Sequence, residues 1–243
     1  MIYGYKVVEE REVGLYPAGL IQISIYRGFR EGIDQMLKAV SACHSLNLKY
    51  VIHPVGYFLS ETRNDYRDQT MQEMHKIAKN VNLALIIHDE TAPWGTRLEG
   101  IYEKAYREAL YELSEICPIS IENANNTHDI EWFWRRFATS VTIDLGHVEA
   151  AGIDSVKFVR NLGADIIDKL SFVHIHRYNG PHGGGLRDHW GLLEDCRELK
   201  ALGYLLKRKR DISVILEIID DKDSMGKSLK FLEDLKREYK TEV

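Results

Sequence analysis

The chain has 243 residues, of which 44% are hydrophobic and 28% are charged, and its formal net charge is -5. A globular protein of this size buries a large core without disulfides or structural metals. The acidic balance excludes a nucleic-acid-binding protein whose surface is basic throughout.

Eight short apolar runs follow one another along the chain. Their Val, Ile and Leu content is typical of parallel strands that are buried on both faces. They occupy residues 2–7, 20–26, 49–55, 83–89, 118–123, 140–146, 171–176 and 213–218.

Longer amphipathic segments separate these runs. Helical spacing of apolar residues is found at 30–46, 66–80, 98–116, 152–162, 192–207 and 226–238, with a shorter candidate at 128–137. Eight strands alternating with helices predict a single (β/α)8 TIM-barrel domain over residues 1–243, with an open, doubly wound sheet as the alternative. Residues 8–19 are too short and too rich in Gly and Pro for a full helix, so we expect an irregular first β/α unit.

Polar residues stand near the C-terminal end of the last six predicted strands. Side chains alternate across a strand, so each of these residues shares a face with the residue two positions before it, as Val51 does with His53 and Thr142 with Asp144. They are His53, His88, Glu122, Asp144, His174 with His176, and Glu217. One such residue has a structural explanation, but six strands that end in this way predict a functional site.

Inward-facing imidazoles and carboxylates indicate a metal site. A charge buried in a barrel costs several kcal/mol unless it is paired or bound to a metal, and barrel active sites lie at the C-terminal ends of the strands. Mixed His and carboxylate ligands suit Zn, Mn, Co or Fe, and carboxylate-rich subsets suit Mg or Mn. We therefore expect a divalent metal cofactor whose identity the sequence leaves open.

Two local motifs add ligands to the predicted site. The segment Asp144-Leu145-Gly146-His147 puts a further imidazole just past the sixth strand. Residues 174–191 form a Gly-rich segment that carries four His and one Asp. Its glycines permit tight backbone paths, and its length suits a lid over the site.

The three cysteines and the N-terminus bear on the compartment. Cys43, Cys117 and Cys196 are widely spaced, which argues against a disulfide framework or a thiolate zinc site. The first residues lack a signal-peptide pattern, and no run of apolar residues is long enough for a membrane span. We expect reduced, buried thiols in a cytoplasmic protein that has no membrane partner.

Six short motifs occur in one order along the chain: IHPVG at 52–56, IEN at 121–123, IDLGH at 143–147, HIH at 174–176, DHW at 188–190 and LEI at 216–218. Together they resemble the xylose-isomerase-like TIM barrel superfamily. That group contains sugar isomerases and epimerases, including those of sugar phosphates, and AP endonucleases of the endonuclease IV type. The first fifty residues match this pattern poorly.

The resemblance implies roles for particular residues. It implies a core metal site of Glu122, Asp144, His176 and Glu217. In the isomerases and epimerases, the residues that match the two glutamates move a substrate proton. In the endonuclease IV type, a three-zinc cluster is completed by the residues that match His53, His88, His147, Asp188 and His189. Asp188 and His189 are adjacent here, whereas one residue separates them in the three-zinc pattern.

The sequence favours a metal-dependent isomerase or epimerase of a sugar-like hydroxycarbonyl compound, with Glu122 and Glu217 as the catalytic pair. The expected substrate contacts are His147, His174, Arg177, Trp94 and Trp190. The alternative is a multi-metal phosphodiester hydrolase of the AP endonuclease type. A small sugar-like partner is favoured over nucleic acid because the single basic run, residues 207–210, precedes the last strand and falls on the opposite face.

Overall fold

Eight parallel strands close into a barrel in the computed structural model, which describes residues 1–29, 32–180, 189–219 and 222–240. Each strand pairs with the next, and the last pairs with the first. The strands are β1 (Ile2–Val7), β2 (Leu20–Tyr26), β3 (Lys49–Val55), β4 (Leu85–His88), β5 (Ile119–Glu122), β6 (Val141–Asp144), β7 (Leu170–Ile175) and β8 (Ser213–Leu216). The predicted (β/α)8 barrel is confirmed, and the open sheet is wrong.

Helices cover the outside of the barrel. They are α1 (Gly32–Ser45), α2 (Asn64–Ala78), α3 (Gly100–Ser114), α4 (Ile130–Phe137), α5 (Leu145–Ala150), α6 (Ser155–Asn161), α7 (Ala164–Lys169), α8 (Arg197–Arg208) and α9 (Lys222–Lys240). A single 3-10 turn, Glu10–Glu12, joins β1 to β2, as the irregular first unit predicts. A second 3-10 turn, Thr127–Asp129, precedes α4. None of the helices in the described ranges is both long and apolar enough to cross a membrane.

The predicted helix limits shift by a few residues throughout, and two helices begin clearly later in the structure than the sequence pattern predicts. The segment 152–162 yields α6 only from Ser155, because the Asp154 carboxylate accepts the Lys157 amide and caps the helix there. The segment 192–207 becomes helical only at Arg197. The Leu192 amide donates to the Ser228 hydroxyl at 2.9 Å, so α9 holds this stretch instead of a helical turn.

The barrel interior is apolar in its lower part and polar at the C-terminal end of the strands. Its apolar cluster consists of Leu20, Val51, Ala84, Ile86, Phe172 and Ile215. Val51, Ile86 and Ile215 each precede an inward polar residue by two positions, which confirms the predicted phase of these strands. Apolar side chains therefore fill the lower part of the interior, and the charged side chains lie above them, at the C-terminal ends of the strands.

The basic run at residues 207–210 is partly structural. The Arg208 guanidinium donates to the carbonyl oxygens of Val159 at 2.6 Å and Leu162 at 2.8 Å, and so closes the end of α6. Lys209 Nζ donates to the Asp168 carbonyl at 2.8 Å. Two side chains of this run therefore bind neighbouring backbone carbonyls instead of serving only as surface charge.

Candidate functional site

Nine predicted site residues converge at the C-terminal end of the barrel, and we call them the histidine–carboxylate cluster. They are His53, His88, Glu122, Asp144, His147, His174, His176, His189 and Glu217. Their positions follow from the topology, because the ends of parallel strands meet at one rim. Asp188, which was also predicted as a metal ligand, lies outside the described residues.

Three ligand atoms near β3, β4 and β5 form a compact triangle. His53 Nε2 and His88 Nε2 are 3.1 Å apart, and Glu122 Oε2 lies 3.4 Å from the first and 3.8 Å from the second. Ligands at about 2.0–2.1 Å from a tetrahedral zinc are spaced by roughly 3.3 Å. The triangle therefore has the dimensions of three ligands on one ion.

Backbone carbonyls orient three of the imidazoles. The Nδ1 atoms of His53, His147 and His189 lie 2.9, 3.0 and 2.7 Å from the carbonyl oxygens of Ile86, Asn123 and Glu217, respectively. A carbonyl oxygen only accepts hydrogen bonds, so each Nδ1 carries a proton and Nε2 is the ring atom left to bind a metal. Metal-binding histidines are commonly fixed by such an outer hydrogen bond.

A second ligand group contains His147, His176 and His189. One ring nitrogen of each lies within 4.8 Å of the others. His176 differs from the other two, because its Nδ1 accepts the His189 backbone amide at 2.8 Å while its Nε2 faces Asp144 Oδ1 at 3.2 Å. Its ring packs directly on Gly146, where any Cβ atom would overlap the imidazole. This explains the glycine in the IDLGH motif.

The third ligand group, Glu122, Asp144 and His174, tests whether the site suits a cation. Both carboxylate oxygens of Glu122, Oδ2 of Asp144 and both ring nitrogens of His174 are buried without a hydrogen-bond partner. His174 Nδ1 approaches Glu122 Oε1 to 3.0 Å without hydrogen-bond geometry. Unpartnered buried polar atoms are costly, and a divalent cation would satisfy carboxylate oxygens and neutral ring nitrogens together. The residues fit a metal.

The imidazoles of the triangle are in the form that binds metal. Burial lowers the pKa of His53, and it lowers the pKa of His88 to about 4 despite the neighbouring Glu122. Both rings are therefore neutral near pH 7, and no proton needs to leave them when an ion binds.

On the carboxylate side of the cluster, the pKa values of the imidazoles are raised instead of lowered. Burial alone would lower the pKa of His147 and His174. Asp144 and Glu122 outweigh it at His147, and Glu122 and Glu217 outweigh it at His174, so each pKa rises to about 9. Without a metal, these two rings carry protons that balance the carboxylates.

Known proteins share this fold. No protein-family model and no curated protein sequence matches the chain. Among solved structures, a D-tagatose 3-epimerase-like protein superposes over 100% of this chain and 99% of its own, with TM-score 0.71 and 15% identity. D-psicose 3-epimerase with D-tagatose, from Clostridium cellulolyticum H10, matches 98% and 99% with TM-score 0.63 and 11% identity. SacUVDE matches 97% and 99% with TM-score 0.62 and 12% identity. At these identities the comparisons show a shared fold, the (β/α)8 barrel.

The predicted substrate contacts lie on the rim of the barrel, apart from His147 and His174 in the cluster. Arg177 and Trp190 pair through their backbones, and the Arg177 side chain donates to Gly191 O and Asn179 Oδ1. Trp94 is 65% exposed and packs edge-on against Tyr102. Arg177 therefore fastens the base of the loop after β7, and its role in binding substrate stays a prediction.

Two polar residues of the site escape the sequence reasoning. Lys6 on β1 and Gln22 on β2 both reach Glu217: Lys6 Nζ lies 3.5 Å from Oε2, and Gln22 Nε2 donates to Oε1. Strand alternation could have found them, because Gln22 follows the inward Leu20 by two positions. Neither strand ends in a His, Asp or Glu, however, which is the signal that marks the other six.

Two consecutive residues after β4 fasten the loops around the site. The Asp89 carboxylate accepts the amides of Ala124, Asn125 and Asn126 at 2.6–2.8 Å. The Glu90 carboxylate accepts the Leu59 and Ser60 amides at 2.6 and 2.9 Å, respectively. The loops after β3 and β5 are thus held from a single point on the rim. The sequence shows Asp89 and Glu90 only as acidic residues beside His88.

Proposed function

We propose that this protein is a metal-dependent hydrolase of phosphate esters that uses more than one divalent ion. The sequence alone favours an isomerase or epimerase, but the overlap of ligand groups supports the hydrolase better. The observation that carries the proposal is the position of Glu122, which belongs both to the His53–His88 group and to the Asp144–His174 group.

The two oxygens of Glu122 face different ligand groups. Oε2 lies 3.4 Å from His53 Nε2, while Oε1 lies 3.0 Å from His174 Nδ1 and 3.7 Å from His147 Nδ1. A carboxylate with this disposition suits two neighbouring ions. When bound, divalent ions supply Lewis-acid chemistry, since they acidify water and offset charge on a phosphate ester in the transition state. Glu122 and Asp144 would hold them, and the oriented imidazoles would complete their ligand sets.

Glu217 is poorly suited to take a proton from carbon. Lys6 lies beside one of its oxygens and Gln22 donates to the other. Burial would raise the pKa of Glu217, but the charges of Lys6 and His174 outweigh it and hold that pKa well below its usual value. A weak base is inefficient in proton abstraction, so a ligand or charge-balancing role is favoured.

The second candidate is the single-metal isomerase or epimerase of a sugar-like compound. It is favoured by the convergence of two carboxylates on one imidazole, because His174 Nδ1 lies 3.0 Å from Glu122 Oε1 and 3.5 Å from Glu217 Oε1. Two carboxylates that flank one point are an arrangement that proton transfer can use. Two of the fold neighbours carry epimerase names, one of them with D-tagatose.

Metal counting combined with two assays separates these functions. The protein would be stripped with chelator, reloaded with Zn, Mn, Co or Mg, and analysed for metal per chain by elemental analysis. Hydrolysis of bis(4-nitrophenyl) phosphate would be followed by absorbance. Solvent deuterium entry into D-fructose and D-tagatose would be followed by NMR. Two or three ions with phosphodiester cleavage support the hydrolase, whereas one ion with deuterium exchange supports the epimerase and overturns our proposal.

A matched pair of variants ties the activity to the cluster. Asp144→Asn keeps the shape of a buried cluster residue and removes its charge, so it should abolish cleavage and reduce metal content. Asp154→Asn changes the same residue type at the exposed cap of α6 and should leave both unchanged. Equal cleavage in the two variants would show that the activity does not come from this site.

A further inference from the structure

A cavity lies beside the histidine–carboxylate cluster, between the segments that follow β1, β2 and β8. We call it the tyrosine pocket. Its volume is about 400 Å³, within the range of small-molecule sites. Its walls are formed by Tyr5, Tyr16, Tyr26, Ile218, Ile219 and Met225. Ile218 directly follows Glu217 in the chain, so the pocket begins where the cluster ends.

Lys6 stands in the wall between the two sites. It lines the tyrosine pocket, and its side chain is only 7% exposed. Its Nζ lies 3.5 Å from Glu217 Oε2, which is long for such a bond, and 5.6 Å from the centre of the Tyr26 ring. An ammonium has three N–H donors, of which Glu217 and Tyr26 take at most two. Lys6 keeps donor capacity toward a ligand.

The charge balance of the wall changes when a cation binds the cluster. The described pocket lining includes one other charged residue, Glu12, and Glu12 Oε2 is occupied by the Val8 and Glu9 amides at 2.6 and 2.9 Å. Glu217 is the counter-ion of Lys6. A divalent cation near Glu217 would offset that negative charge and leave the ammonium unbalanced beside an apolar cavity, which favours an anionic group at this position.

The pocket walls present rings and aliphatic groups. Tyr5 is only 1% exposed, and its hydroxyl already donates to the Glu12 carbonyl at 2.9 Å and accepts the Tyr16 amide at 3.4 Å, so the half-buried rings of Tyr16 and Tyr26 are the ones that face a ligand. Tyr5 and Tyr16 pack edge to face with centroids 5.2 Å apart, a geometry that a further ring can extend. A sugar would bring hydroxyls that need partners which such walls do not supply.

We propose that the tyrosine pocket binds an aromatic group of the substrate, and that Lys6 binds the anionic group attached to it, at the border of the metal site. The inference rests on the proposed function in one respect, since that function makes the anionic group a phosphate ester. The aromatic half of the proposal depends only on the pocket and can be tested without metal.

Three probes dissect this site by isothermal titration calorimetry. Phenylphosphonate carries both groups and cannot be hydrolysed as an ester, methylphosphonate carries the anion, and benzyl alcohol carries the ring. In metal-loaded protein, phenylphosphonate should bind about tenfold or more tighter than methylphosphonate, since a buried ring adds apolar contact. Benzyl alcohol should bind metal-free and metal-loaded protein alike. Equal affinity for the two phosphonates would overturn the proposal.

Two variants test which residues bind the ring and which bind the anionic group of phenylphosphonate. Leu15→Trp, at a half-exposed position that lines the pocket, should weaken phenylphosphonate and benzyl alcohol and spare methylphosphonate. Lys6→Met should weaken both phosphonates about tenfold and spare benzyl alcohol. Lys104→Met, at a 78% exposed lysine, is the control and should change nothing.

The two proposals fail separately. A protein that binds no divalent ion contradicts the hydrolase, yet benzyl alcohol binding to metal-free protein and its loss in Leu15→Trp still decide the pocket. If benzyl alcohol binds the Leu15→Trp variant as well as the unchanged protein, the tyrosine pocket is not the aromatic site. Circular dichroism identifies a Lys6→Met variant that fails to fold, in which case the probe series and Leu15→Trp decide the outcome.

Discussion

His53 and His88 point their Nε2 atoms at each other across 3.1 Å, although they lie on different strands. Because His53 Nδ1 faces the Ile86 carbonyl, His53 Nε2 is an acceptor, and without a metal the neutral His88 ring satisfies it by donating from Nε2. An ion bound between the two rings would replace this hydrogen bond, so the pair is arranged both to rest without a metal and to bind one.

His88→Gln should remove one ion per chain. The substitution takes away one vertex of the triangle formed with His53 and Glu122, and the remaining two ligands hold an ion weakly. Elemental analysis after dialysis measures the loss. His75→Gln, on the outer helix α2 beside Glu112, is the control and should keep the full metal content. An unchanged metal count in His88→Gln would show that the triangle does not bind an ion.

Gly146→Ala should destabilise the protein and displace His176. Any Cβ at this position overlaps the His176 ring, and overpacking of this kind costs about 1–3 kcal/mol. The urea midpoint and the metal content should both fall. Gly226→Ala is the matched control, because a Cβ there meets nothing within 4 Å and α9 should gain about 0.5–1 kcal/mol. Equal behaviour of the two variants would contradict the packing argument.

Metal binding should release protons near neutral pH. The pKa of His147 and that of His174 are raised to about 9, so an ion that binds them below that pH displaces protons, whereas His53 and His88 are already neutral. Apparent affinity should rise as the pH approaches about 9 and then level off. Calorimetry in buffers of different ionisation heat counts the protons. Proton release that is the same well above that pH would argue against these assignments.

The same two histidines make metal-free stability depend on pH. Because their folded pKa values lie above the unfolded value of 6.5, their stabilisation is complete below that value and is lost as the pH rises through about 9. Urea midpoints of metal-free protein should therefore fall across this window. Metal-loaded protein should show a smaller fall, since bound ions replace the protons.

Glu90→Gln should loosen the loop after β3 specifically. The Glu90 carboxylate accepts the Leu59 and Ser60 amides, and a glutamine amide offers one acceptor and places N–H donors against the other. A buried donor left without a partner costs about 1–3 kcal/mol. Amide hydrogen exchange at Leu59 and Ser60 should accelerate, while Glu61→Gln, next to the same loop, should leave both amides protected. Protection kept in Glu90→Gln would show that the loop is held by other contacts.

Much of the barrel could be predicted because its signals are local. Apolar runs mark each strand, and strand alternation gives the inward phase of His53, Glu122 and Glu217. The limits of α8 could not be predicted, because they depend on the contact of Leu192 with Ser228 in a distant helix. The role of Lys6 could not be predicted for a similar reason. A lysine near the end of the first strand meets Glu217 only because the closed barrel pairs β1 with β8.

That closure also bears on how the protein is made. His53, His88 and Glu122 come from three consecutive strands, so their group is complete once β5 has left the ribosome. Lys6 can pair with its counter-ion only much later in synthesis, because Glu217 stands 211 residues further along the chain. A nascent chain that has not yet reached β8 therefore already contains the residues of one proposed ion site, together with a lysine that still lacks its counter-ion. The last strand therefore completes both the sheet and the charge balance of Lys6.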